Sequence, residues 1–206
     1  MPEDIFDQKT RVNAVGPSAK VSASPRNKDI DTLVNMISAS QRPLVLVGGA
    51  LLAEAVSEEG VLSKLNTLAE TYALPICPTH RRPHLFDSHH PNYGGYMGIR
   101  VPGPLIDEMK KADLLIALGE RLTDTVSQSY TFPTAPQPQI PLVHVWPDAN
   151  EVGRVWHPML GIPASPKEVI EALLERNTPK ITKERLKWIE KLNKIHTQLT
   201  NKTWDS

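Results

Sequence analysis

Apolar positions run through the chain in two rhythms. From Asn27, residues Ile30, Leu33, Val34 and Ile37 recur at helical spacing, with Asn27 or Asp29 placed to cap the turn. Pro43 to Val47 is wholly apolar and stops at Gly48-Gly49, the pattern of a strand buried on both faces. A second helical stripe, Leu62, Leu65, Leu68, Ala69 and Tyr72, leads to a short strand over Pro75 to Cys77 and closes a first β-α-β unit. A helix is predicted from Pro104 to Lys111, then strands from Leu114 to Leu118 and from Leu142 to Val145.

Two helix starts are written in side-chain chemistry. Ser165-Pro166-Lys167-Glu168 combines an N-cap, a proline at the first helical position and a glutamate two residues on, which predicts a helix to about Glu175. Thr182 caps a last helix whose Trp188, Leu192, Ile195 and Leu199 form one stripe, with Ile181 and Leu186 spaced as a hydrophobic staple. That stripe needs a partner, in this chain or in another. Strands of four to five residues alternating with helices predict an α/β fold, a Rossmann-like three-layer sandwich with a mainly parallel sheet. Residues 1–26 show no sustained period and read as a linker, 27–178 as the central α/β domain, and 179–206 as a C-terminal helix or linker.

Composition narrows the function classes. Lys and Arg together number 23, as do Asp and Glu, so no global field draws the protein to nucleic acid or anionic lipid. The single cysteine, Cys77, excludes an intramolecular disulfide and fits a reducing compartment, with the cytoplasm as the default. No stretch approaches the roughly 18 apolar residues of a membrane span, and the N-terminus lacks the basic-then-apolar pattern of a signal sequence.

Candidate chemistry gathers where strands end. Gly48-Gly49 reads either as a tight turn or as a place where phosphate approaches backbone amides; the full G-x-G-x-x-G fingerprint is absent. After the later strand, Gly119-Glu120-Arg121 leaves Arg121 to grip a phosphate or to pair with Asp124. The long segment 78–102 holds His80, His84, His89 and His90 without zinc-motif spacing, and reads as a solvated loop. Ser88-His89 and Ser127 lack the G-x-S-x-G elbow of a hydrolase.

The order of these pieces resembles the central domain of thiamine-diphosphate enzymes related to acetolactate synthase, benzoylformate decarboxylase and oxalyl-CoA decarboxylase. The resemblance rests on Arg42 to Gly49, Leu68-Ala-Glu70 before Leu74-Pro-Ile76, Thr79, His90-Pro91 with Gly94 and Gly98, Ala112-Asp113 before Leu118 to Arg121, and Val143 to Val145 with Asp148 and Glu151 to Arg154. Met1 to Phe6 further resembles the phrase on which these enzymes leave their pyrimidine-binding domain.

The resemblance implies a structural, interdomain module whose parent is a homo-oligomer with flanking pyrimidine- and diphosphate-binding domains. In that parent, thiamine diphosphate and magnesium are held by a Gly-Asp-Gly motif, which this sequence lacks. The resemblance implies that such a domain can hold a structural FAD or ADP, for which the candidate residues in this sequence are Gly48, Gly49, Thr79, Gly119, Arg121 and Asp148. Arg81 and Arg82 replace the family's glycine-containing loop and Trp146 replaces a strand-end aspartate, which removes dinucleotide contacts. The expectation is therefore no catalytic residue, no metal and no tightly bound cofactor in this chain. A free-standing FAD-, ADP- or NAD-binding protein is the alternative.

Overall fold

Five strands pair in the order β2-β1-β3-β4-β5, every pair parallel, in a computed structural model that describes Asp7, Lys9, Arg11, Gly16 and residues 21–201. The strands are β1 (Pro43–Val47), β2 (Ile76–Pro78), β3 (Leu114–Leu118), β4 (Leu142–Val145) and β5 (Leu160–Ile162). The helices are α1 (Asn27–Ala39), α2 (Gly49–Ser57), α3 (Val61–Tyr72), α4 (Gly103–Met109), α5 (Pro166–Leu174) and α6 (Lys183–Thr200). Most of the expected linker 1–26, including the phrase Met1 to Phe6, lies outside the described residues.

Alternation along the strands builds two cores, because successive side chains point to opposite faces. Val45, Val47, Ile116, Val143 and Ile162 pack with α1, α2, α3 and α5, whereas Leu44, Leu46, Cys77, Leu115 and Ala117 pack with α4 and α6. Covering both faces explains why β1 and β3 are apolar at every position.

The helix starts show both success and correction. Ser165 Oγ accepts from Glu168 N, as the sequence requires, and the Glu54 carboxylate of α2 takes the next orphan amide, Lys167 N, at 2.9 Å. Thr182 Oγ1 accepts from Arg185 N. Neither Asn27 nor Asp29 caps α1: Arg26 holds the N-cap position and its guanidinium pairs with Asp29 at 2.7 Å. The helix α2 and the strand β5 are additions to the sequence reading, and β2 begins one residue later than expected.

The stripe on α6 is satisfied within this chain. Trp188 and Leu192 are buried beside Leu105 and Met109, and Trp188 Nε1 donates to Pro43 O at 2.8 Å. The buried Arg185 guanidinium donates to Tyr72 O, Ile37 O and Ser40 O, the carbonyls that close α1 and α3. Leu186 remains 54% exposed, so the staple position is only half covered.

The segment 78–102 is far from a solvated loop throughout. Asn92 to Met97 runs along the outer side of β2: Ile76 N donates to Asn92 O, Gly94 N to Ile76 O, and Met97 N to Pro78 O. Leu85, Phe86, Tyr93 and Met97 are buried; His84 and His89 are exposed, while His90 packs on Phe86 and pairs with Glu70 at 3.1 Å.

Candidate functional site

The chain steps from β1 outward to β2 and then back across to β3, so the crevice between the C-terminal ends of β1 and β3 is a topological switch point, the usual ligand position in such sheets. Gly48 and Gly49 leave β1 there, Thr79 follows β2, and Gly119 to Arg121 leave β3.

Five of the six candidate residues meet in this region. Gly48 N donates to Leu118 O, and Ala50 N, in the first turn of α2, donates to Gly119 O at 3.0 Å. Gly119 adopts φ +68°, and a Cβ there would stand 2.8 Å from Leu51 N. A Cβ on Gly48 would overlap Glu120 Oε2 and lie 2.7 Å from Gly119 O. The two glycines thus let two backbone turns touch, with the chain's own carboxylate laid against the backbone where a phosphate would approach.

Glu120 is the residue that organises the crevice. Its Oε2 lies 2.5 Å from Thr79 Oγ1 and its Oε1 accepts from Leu122 N at 3.1 Å. Burial pushes its carboxyl above the ordinary range, against the opposing pull of those hydrogen bonds and of Arg82. Beside it, His144 of β4 places Nε2 3.1 Å from Glu120 O, and burial holds its imidazole below the usual value.

Above this layer lies a small depression of about 220 Å³, lined by Gly49, His80, Arg82, Glu120, Arg121 and Trp146 among others. Arg82 lies over Gly49, with Nη2 3.5 Å from where a Cβ would be, and donates Nη1 to Arg81 O. Arg121 does not pair with Asp124: it reaches Glu151 at 3.1 Å and stacks 5.8 Å from the Trp146 ring centroid. Asp148 stands apart, exposed in the turn after β4, where its carboxylate accepts from Asn150.

Position after a strand end, the signal that selected Gly119 and Arg121, applied equally to Glu120. His80, two residues past β2, carries the same mark, whereas Arg82 does not, because only the path of the loop after β2 brings it over Gly49.

Other chemistry is accounted for locally. Ser127 Oγ donates to Thr123 O and accepts from Tyr130 N, which locks a turn. Among the described residues no three His, Cys, Asp or Glu side chains converge on a metal position, and no helix is long and apolar enough to cross a membrane.

Comparison with known proteins agrees with this architecture. The family model described as "Thiamine pyrophosphate enzyme, central domain" matches residues 30–173. The chain is 29% identical over 160 residues to an acetolactate synthase of Mycobacterium avium, covering 77% of this chain and 24% of that protein. It is 26% identical over 202 residues to a probable acetolactate synthase large subunit of Methanocaldococcus jannaschii, covering 95% of this chain and 33% of that protein. A Corynebacterium glutamicum acetolactate synthase large subunit is 25% identical over 179 residues, covering 85% of this chain and 27% of that protein. The chain thus spans about a quarter to a third of the length of the curated relatives it matches. With the family model covering well over half of the chain and the parallel sheet in place, the chain belongs to the central-domain family of thiamine pyrophosphate enzymes.

Proposed function

We propose that this chain is the non-catalytic central domain of a thiamine-diphosphate-dependent enzyme acting on 2-oxo acids, a structural and interdomain module set between pyrimidine- and diphosphate-binding domains. The observation that carries the reading is Glu120: the chain's own carboxylate rests on Gly48, and Gly119 O takes the Ala50 amide of α2. A dinucleotide needs those backbone groups exposed, and ligand pockets for even drug-sized molecules run from about 300 Å³ upward. The depression here holds about 220 Å³. The residues at the switch point therefore fit neither FAD nor a thiamine diphosphate, and no Gly-Asp-Gly triplet occurs in the sequence to hold the latter.

The test is a ligand panel read by thermal melting and calorimetry: thiamine diphosphate with magnesium, FAD, and ADP, together with an acetolactate assay on pyruvate. A ligand that binds only the folded state at about 100 times its dissociation constant adds about 2.7 kcal/mol, a readily seen shift. No shift and no turnover are expected. A saturable shift with FAD or ADP, or turnover above a heat-killed control, sinks the proposal.

A further inference from the structure

On the side of α6 that faces the end of α3 lies a groove of about 350 Å³ with an unusual division of chemistry. Its apolar floor includes Ile181, Leu186 and Ile189, and Leu186 is a large apolar side chain left 54% exposed. Its rim carries Glu70, Glu190, Asn92 and Asn193, with no lysine or arginine in the lining.

The two asparagines are more one-sided than their residue type suggests. Asn92 Nδ2 donates to Ala69 O and Leu74 O, and Asn193 Nδ2 donates to His90 O and Tyr93 O. With both amide hydrogens of each group committed to backbone carbonyls, what the side chains offer the groove is carboxamide oxygen. The rim is thus an array of acceptors around an apolar floor: the Glu190 carboxylate, the two carboxamide oxygens, and the Glu70 carboxylate, whose Oε1 also pairs with His90 at 3.1 Å. The complement is a donor-only cation beside an aliphatic side chain, and arginine suits it best because its guanidinium carries five donors and no acceptor.

That complement exists on this chain's own surface. Ile99 is 74% exposed and its neighbour Arg100 is exposed without an ion-pair partner among the described residues. Gln128 braces the bend on both flanks, donating Nε2 to Gly98 O and accepting Val101 N, each at 2.9 Å. An exposed apolar–cationic pair held on a fixed backbone loses little conformational freedom when it docks. Arg154-Val155 has the same composition, but Arg154 is already tied to Glu151 at 3.2 Å.

We propose that the groove is a self-association site that receives the Ile99–Arg100 bend of a second copy of this chain. Ile99 covers Leu186 and Ile189, and the Arg100 guanidinium meets Glu190, Glu70 and the carboxamide oxygens. Every copy carries both groove and bend, so a two-fold arrangement uses the contact twice.

Sedimentation equilibrium of the 206-residue chain over a wide concentration range tests this. A concentration-dependent dimer is expected, weakened about tenfold or more by Arg100→Glu or by Glu190→Arg, and weakened by both changes in one chain by clearly less than the sum of the two losses. Leu186→Ser should weaken it without reversing a charge, and melting curves establish that each variant is folded. A monomer at every concentration, a dimer indifferent to these changes, or a double variant whose loss is the full sum of the two single losses overturns the proposal.

Discussion

Thr79 Oγ1 lies 2.5 Å from Glu120 Oε2, and the same hydroxyl lies 3.1 Å from Val47 O. One hydroxyl proton therefore faces two acceptors whenever Glu120 is ionised. Protonating Glu120 resolves the conflict: its O–H donates to Thr79 Oγ1, and Thr79 donates onward to Val47 O. Burial raises the Glu120 pKa from 4.5 in the same direction.

The sign of the resulting pH effect is fixed. A carboxyl whose folded pKa lies above its unfolded value binds more protons in the folded state, so its contribution is fully present at low pH. It declines as pH rises from the ordinary carboxylate value through the raised one. Glu120→Gln removes that titration while keeping a donor for Thr79. Urea unfolding across this range should show the stability of the wild type falling relative to the variant as pH rises. A difference that stays flat would exclude this account of Glu120.

A second expectation concerns Arg185, whose guanidinium serves Tyr72 O, Ile37 O and Ser40 O in the interior. Arg185→Met leaves those carbonyls without their donor, at a cost of roughly 3 to 5 kcal/mol. The exposed Lys187→Met should change stability by less than about 0.5 kcal/mol. Limited proteolysis supplies an independent reading: α6 should resist cleavage in the wild type and be cut early in Arg185→Met. Equal stability of the two variants would show that Arg185 does not hold α6.

Two glycines with positive φ separate backbone strain from close contact. Gly60, at φ +85°, has no atom within 4 Å of a built Cβ, so Gly60→Ala should cost about 1 kcal/mol from the left-handed conformation alone. Gly119, at φ +68°, would also press on Leu51 N at 2.8 Å and Pro166 Cγ at 3.0 Å, so Gly119→Ala should cost roughly 3 kcal/mol. Denaturant midpoints measure both, and similar losses would mean that the α2 turn gives way without effect.

The sequence displayed the sheet more clearly than the crevice at its end. β1, β3 and β4 were legible because apolar runs bounded by Gly and Pro have few other uses in a chain of this length. The α5 start was legible because Ser165, Pro166 and Glu168 mark it with side-chain chemistry. By contrast, α2 begins on glycines and carries a sequence, Gly-Ala-Leu-Leu-Ala-Glu-Ala-Val-Ser, whose apolar positions make no narrow stripe. β5 has three residues, one of them Gly161, too few to show a period. Arg185 sits between lysines and a glutamate and reads as solvated; only the tertiary meeting of α1, α3 and α6 buries it. At the crevice, strand-end position picked out Gly48, Gly49, Gly119 and Arg121 and the family resemblance added Thr79, whereas the cover by Arg82 and the departure of Asp148 depend on loop paths that no local pattern encodes.

The segment Asn92 to Met97 has a bearing on solubility. Its bonds to Ile76 N, Ile76 O and Pro78 O consume the outward hydrogen-bonding groups of β2, and Pro78 has no N–H to present. A foreign strand arriving at that margin finds no template to extend. The opposite margin is β5, only three residues long and interrupted by Gly161, whose Cβ position is crowded by Val152. Neither border of the sheet is thus suited to nucleating cross-β growth, the hazard that an uncovered parallel sheet would otherwise carry at high concentration.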